Sequence, residues 1–279
     1  MLKRKLAQQT AGLSEGEPKR PFMGADTTSA LFAKPLWQKF YDIERSLNEV
    51  LSTIDTPATI ECTYNPVEYA SSLHCAYLRS FLDAPKHIMF IGMNPGPTGM
   101  VQTGIPFGNV RTVSQLMELS GEVGRPPVLH PKRPVVGLEC TKEEISGVRL
   151  WELFLRLAGG GLDIFSQQCF VHNFCPLAFF DAAGRNITPT ELKGPYKQKI
   201  RDACLDALEK QLLIVKPQVV VAVGNYVYQA LKRSDYCKTV SMLCLAHPSP
   251  RSVNNTNWPE KAQEFLEQHG LVHFMRNEA

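Results

Sequence analysis

The 279-residue sequence has no apolar run of signal-peptide or membrane-spanning length, and it opens on the polar stretch Met-Leu-Lys-Arg-Lys. That absence argues against a secretory signal or a transmembrane anchor, and no membrane partner is expected. Eight cysteines, at 62, 75, 140, 169, 175, 204, 237 and 244, include no C-x-x-C pair. Their spacing excludes the tight clusters of zinc and iron–sulfur sites, so reduced and mostly buried thiols of an intracellular protein are expected. Neither G-x-G-x-x-G nor a P-loop follows any strand-like segment, which removes the common nucleotide-binding readings. Charge of one sign is also scarce, with a net of +3 at neutral pH, so any nucleic-acid surface has to be a local patch. No internal repeat is visible.

What is present suffices for a large core, since 44% of residues are apolar. Residues 1–30 are polar, with basic residues at 3, 4, 5, 19 and 20. They read as a disordered tail whose Lys3-Arg4-Lys5 cluster fits an import signal or a solvated terminus. One domain is expected over 31–279. Within it, apolar residues at helical spacing predict helices over 36–54, 65–82, 148–161, 196–216, 225–234 and 259–270. Short apolar runs at 87–93, 168–174, 217–224 and 241–248 predict strands of the buried, parallel type.

Strands alternating with helices imply a parallel sheet covered on both faces, with ligands bound outside the carboxyl ends of the strands. Those ends read Met93-Asn94-Pro95-Gly96, His172-Asn173, Gly224-Asn225 and His247-Pro248-Ser249-Pro250-Arg251. The stretch "FIGMNPGPTGM" (90–100) presents Asn94 from a loop stiffened by Pro95 and Pro97. Taken alone it fits an ordinary tight turn as well as a ligand-facing loop. The recurrence of Asn and His along one sheet edge favours the ligand-facing reading.

Five segments, "GMNPGPTGMVQTGIPFGNV", "HPKRPVVGLEC", "CFVHNFCPL", "GRNITP" and "HPSPR", occur in this order. In combination they resemble the single-strand-selective monofunctional branch of the uracil-DNA glycosylase superfamily over residues 30–275. The resemblance implies an α/β three-layer sandwich around a four-stranded parallel sheet, a nuclear role in base-excision repair, action as a monomer, and neither metal nor cofactor. It implies that Asn94 positions the attacking water and that His247 donates to uracil O2. It further implies that Asn173 reads the base, that Phe107 stacks on it, and that Met93 and Gly96 line the pocket, where the family admits oxidised 5-substituted uracils.

The residue chemistry is consistent with those roles. An amide is no strong base, so catalysis would lean on electrostatic stabilisation of the departing anion. An asparagine amide accepts from uracil N3–H and donates to O4, a pattern cytosine inverts. The resemblance also implies that the loop after His247 enters duplex DNA. Pro248, Ser249 and Arg251 are therefore candidate DNA contacts, with Arg251 as wedge or phosphate ligand. Lys132 and Arg133 are candidate phosphate contacts, or else part of a solvated basic turn. Thr98 stands where the family pattern has phenylalanine. No matched pocket position is lysine, which points to hydrolysis without lyase chemistry. The expected substrates are single- and double-stranded DNA containing uracil or modified uracils such as 5-hydroxymethyluracil. The alternative is a non-catalytic nucleic-acid-binding module that retains the fold.

Overall fold

In chain order, the computed structural model has α1 (Leu36–Ser52), β1 (Cys62–Tyr64), α2 (Pro66–Tyr69), α3 (Ser71–Phe81) and β2 (Ile88–Gly92). Next come α4 (Met100–Thr103), α5 (Ile145–Leu157), α6 (Leu162–Gln168), β3 (Cys169–Asn173), β4 (Ala178–Phe180) and β5 (Asn186–Ile187). The chain closes with α7 (Gly194–Val215), β6 (Val219–Val223), α8 (Asn225–Leu231), β7 (Ser241–Leu245), α9 (Trp258–Gln268) and α10 (Val272–Met275). The structure describes residues 33–252 and 255–278. The expected polar tail at 1–30, with its basic cluster, lies outside them. Residues 34–279 form one compact unit. Among the described residues, no helix is long and apolar enough to cross a membrane.

Four strands pair in parallel in the order β3-β2-β6-β7. They are the four apolar runs read from the sequence, and β2 and β3 are buried along their whole length. Successive side chains leave a strand on opposite faces. Phe90 of β2 lies level with Val171 of β3, so Phe90 and Phe170 point to opposite faces. Phe90 meets Phe154 of α5, with ring centroids 4.6 Å apart. Phe170 and His172 instead meet Phe40 of α1 at 5.5 and 4.9 Å. Helices therefore cover both faces, giving the three layers that the sequence implies.

Chain connections run from β2 to β3 on one side and then return past β2 to β6 and β7. The sheet thus has a switch point at the carboxyl ends of β2 and β6, where open α/β sheets bind ligands.

Two features differ from the sequence expectation. The single helix expected over 65–82 is broken at Ala70, whose φ of −107° and ψ of 26° leave the helical range. The Tyr69 carbonyl accepts from Gly124 N–H at 2.7 Å, a bond from outside the helix that marks the break. A second, antiparallel sheet of order β1-β4-β5 was not anticipated. Its strands have three, three and two residues, too short to show an alternating pattern.

Candidate active site

The loops after β2 and β7, together with the end of β3 and the start of α5, enclose a cleft of about 530 Å³ at the switch point. Asn94, Met93, Gly96, Phe107, Asn173, His247, Ser249 and Arg251 all line it. Asn94 and His247, 153 positions apart in the chain, therefore share one pocket, as two strand ends of one parallel sheet should.

His247 lies two residues beyond β7. Its Nδ1 accepts the backbone N–H of Ser249 at 3.1 Å. Removal from water holds the imidazole pKa down at about 4. A neutral ring whose Nδ1 is an acceptor carries its proton on Nε2, which makes Nε2–H a donor. The loop that fixes this ring is tied down twice. Asn255 Nδ2 donates to the carbonyls of His247 and Ser249 at 2.8 and 2.6 Å. Arg149 of α5 donates to the carbonyls of Pro248 and Asn255, both at 3.2 Å.

Asn94 lies two residues beyond β2. Its Nδ2 donates to the Leu177 carbonyl at 3.1 Å, which leaves Oδ1 as the acceptor for a water. Asn173 ends β3 and is buried; its Nδ2 points at Met100 Sδ at 3.2 Å. Its Oδ1 is buried without a partner. Such an atom is costly unless a ligand supplies a donor.

Phe107 sits beside Asn173 with φ at +56°, a region that bulky residues rarely occupy. Its ring lies 6.1 Å from that of His247. Neighbouring bonds hold this strained turn: Trp151 Nε1 donates to the Pro106 carbonyl at 3.2 Å and Thr103 Oγ1 to Gly108 at 2.6 Å. A side chain at Gly92 would overlap both Asn173 Oδ1 and the Phe107 ring, so glycine is required where these two side chains meet.

Beyond Gly96, Thr98 also lines the cleft, with its hydroxyl 3.4 Å from the Glu143 carbonyl. A small hydroxyl residue, rather than phenylalanine, closes that side. Sequence reasoning missed Glu144, which precedes α5 and lines the same wall. Its Oε2 is buried without a partner, and burial raises its pKa to about 7. Asn186 of β5, in the unanticipated small sheet, and Thr188 just beyond it also line the cleft.

The expected DNA contacts divide. Ser249 and Arg251 are at the cleft, with Arg251 exposed on its rim. Pro248 is buried, with its carbonyl held by Arg149. Lys132 and Arg133 line a neighbouring hollow that shares only Pro97 and Thr98 with the cleft. The Arg133 guanidinium donates to the Gly184 carbonyl and lies over the Phe180 ring at 5.7 Å, while Lys132 is exposed.

The family model of the uracil DNA glycosylase superfamily matches residues 80–268. The single-strand selective monofunctional uracil-DNA glycosylase of Rattus norvegicus is 40% identical over 249 residues, covering 88% of this chain and 89% of the relative. The Bos taurus protein of that name is 41% identical over 242 residues, covering 86% and 89%. Among solved structures, SMUG2 of Pedobacter heparinus aligns with a TM-score of 0.54 at 18% identity, covering 83% of this chain and 98% of that one. At that identity the structural match speaks to the fold alone.

Proposed function

The chain belongs to the uracil-DNA glycosylase superfamily and is a hydrolase of N-glycosidic bonds in DNA, and from that premise we propose which bases it removes and how. It excises uracil and 5-modified uracils such as 5-hydroxymethyluracil from single- and double-stranded DNA, leaving an abasic site for base-excision repair.

One observation carries the reading: Asn173 Oδ1 is a buried acceptor without a partner, on the wall of a cleft that also holds His247. Uracil N3–H supplies the missing donor, and the Asn173 amide N–H meets O4. Cytosine offers an acceptor and a donor in the reverse order and would leave both polar atoms unpaired, a mismatch that sites of this kind reject strongly. The flipped ring stacks on Phe107. His247 Nε2–H then points at O2, where negative charge collects as the C1′–N1 bond breaks. A neutral donor of this kind stabilises the anion without giving up its proton. Asn94 Oδ1 orients the water that attacks C1′. Because the amide is a poor base, most of the rate comes from the preorganised donors.

Among the described residues lining the cleft none is lysine, so no amine is available for a covalent sugar intermediate. This supports hydrolysis without strand cleavage. In duplex DNA the extruded base leaves a gap, and the exposed Arg251 at the cleft rim is suited to fill it or to hold the flanking phosphate. Nuclear location belongs to the same reading and follows from the base-excision repair role that the family implies. A fluorescent fusion of the whole chain should accumulate in the nucleus.

The test is incubation with a single-stranded oligonucleotide bearing one uracil. Cleavage that appears only after alkali treatment, and persists in a metal chelator, is the expected result. Intact oligonucleotide after alkali would overturn the reading, and strand breaks before alkali would overturn its monofunctional part. Light scattering should give the mass of one chain.

A further inference from the structure

Glu144 is the one carboxylate on the cleft wall with a buried oxygen that has no partner. Its neighbour Glu143 is different, being paired with Arg111 at 2.8 Å and half exposed. The Glu144 carboxyl lies against the backbone of the Asn94 loop. A methyl group at Gly96 would overlap Oε1, and one at Gly99 would overlap Oε2. The room that these two glycines leave is therefore filled by a carboxyl group rather than left empty. That carboxyl makes no side-chain cap for α5, so the helix end does not account for it. Burying an unpartnered carboxyl oxygen is costly, and a site wall that keeps one is suited to a ligand that brings a donor.

The base's own edges indicate which donor. In the function proposed above, His247 takes O2 and Asn173 takes N3–H and O4. The remaining edge carries C5 and C6, and the family resemblance sets it against the Met93–Gly96 segment, where Glu144 lines the cleft beside Gly96. Uracil itself presents only C–H there. A 5-hydroxymethyl group presents an O–H, whereas a 5-carboxyl group presents a second negative charge.

We propose that Glu144 determines specificity at the 5-position of the bound base: its carboxyl accepts a hydrogen bond from a 5-hydroxymethyl hydroxyl and repels a 5-carboxylate. This rests on the reading that the cleft binds 5-modified uracils. The raised pKa of about 7 is consistent with a carboxyl kept from water until a ligand arrives. The other charged or titratable side chains on the cleft wall are Glu143, Arg251 and His247.

The experiment is single-turnover excision at pH 8 from three single-stranded oligonucleotides that carry uracil, 5-hydroxymethyluracil or 5-carboxyuracil. The wild-type protein is compared with Glu144→Leu and Glu144→Gln, and the readout is the rate ratio of each modified base to uracil. Glu144→Leu should lower the 5-hydroxymethyluracil ratio about tenfold and raise the 5-carboxyuracil ratio about tenfold, the size of one charge-assisted hydrogen bond removed or one repulsion relieved. Glu144→Gln keeps an acceptor and removes the charge, so it should raise the 5-carboxyuracil ratio while holding the 5-hydroxymethyluracil ratio within about threefold. A merely structural Glu144 would slow all three substrates together and leave both ratios unchanged, which overturns the proposal, and if Glu144→Leu does not fold, the Gln variant alone decides. Wild-type protein inert on 5-hydroxymethyluracil would overturn the broader substrate reading and take this proposal with it. Unchanged ratios in variants of an active wild type would overturn the role of Glu144 alone.

Discussion

His247 Nδ1 accepts the backbone N–H of Ser249 at 3.1 Å, and that bond decides which face of the imidazole can act on a substrate. The acceptor must be unprotonated, so the proton sits on Nε2, and desolvation keeps the ring neutral down to about pH 4. Long-range nitrogen–proton NMR spectra should report the Nε2–H tautomer with a titration midpoint near 4. A midpoint near the ordinary value of 6.5 would mean that the ring is wet and its tautomer unfixed.

A second histidine ties stability to pH. His172, buried on β3 beside Glu44, also has its pKa held down to about 4, chiefly by desolvation. A depressed folded-state value means that the unfolded chain binds the proton first. The stability held above about pH 6.5 is therefore lost as pH falls toward 4. By pH 5 this site alone should have given up about 2 kcal/mol. The unfolding free energy from denaturant titration should fall between pH 7 and pH 5 by about 2 kcal/mol more for the wild type than for His172→Gln. An equal drop in both proteins would mean that His172 titrates normally.

Asn173→Asp reverses half of the reading pattern. A carboxylate at this buried position repels O4 of uracil, and when protonated it can donate to N3 of cytosine and accept from its amino group. Single-turnover excision of uracil should fall by at least ~10², and cytosine excision should become detectable. If the variant removed uracil at the wild-type rate with cytosine inert, Asn173 would be a structural residue.

Arg251 should matter only where a stack must be held open. Arg251→Ala is expected to slow excision from duplex DNA far more than from single strands, with part of the duplex loss depending on salt. Equal losses on both substrates would remove the wedge assignment.

The parallel sheet was legible because each strand carries a short, mostly apolar run that stops within a few residues at glycine, asparagine or proline. The gathering of Asn94, Asn173 and His247 was legible for a related reason: Asn173 ends such a run, Asn94 and His247 lie just beyond two others, and a parallel sheet gathers its strand ends on one edge. The β1-β4-β5 sheet was not legible, because two or three residues carry no period. Glu144 was hidden by its position, since an acid just before an amphipathic helix reads as an ordinary end-of-helix charge. Arg149 likewise reads as one more solvated base on α5, although it holds the His247 loop by two carbonyls. "HPKRP" suggested phosphate contacts, yet Arg133 is engaged with Gly184 and Phe180, a partnership between distant segments that no local pattern announces.

In the proposed function, the cleft removes uracil because His247 stabilises the departing base. The most direct measurement is single-turnover release of uracil from one single-stranded oligonucleotide by the wild type and His247→Ala, with binding measured on the same oligonucleotide. Loss of one preorganised donor should cut the rate by ~10² to 10³ while affinity stays within a few fold. A wild-type rate in the variant, or a loss explained wholly by weaker binding, would contradict the account.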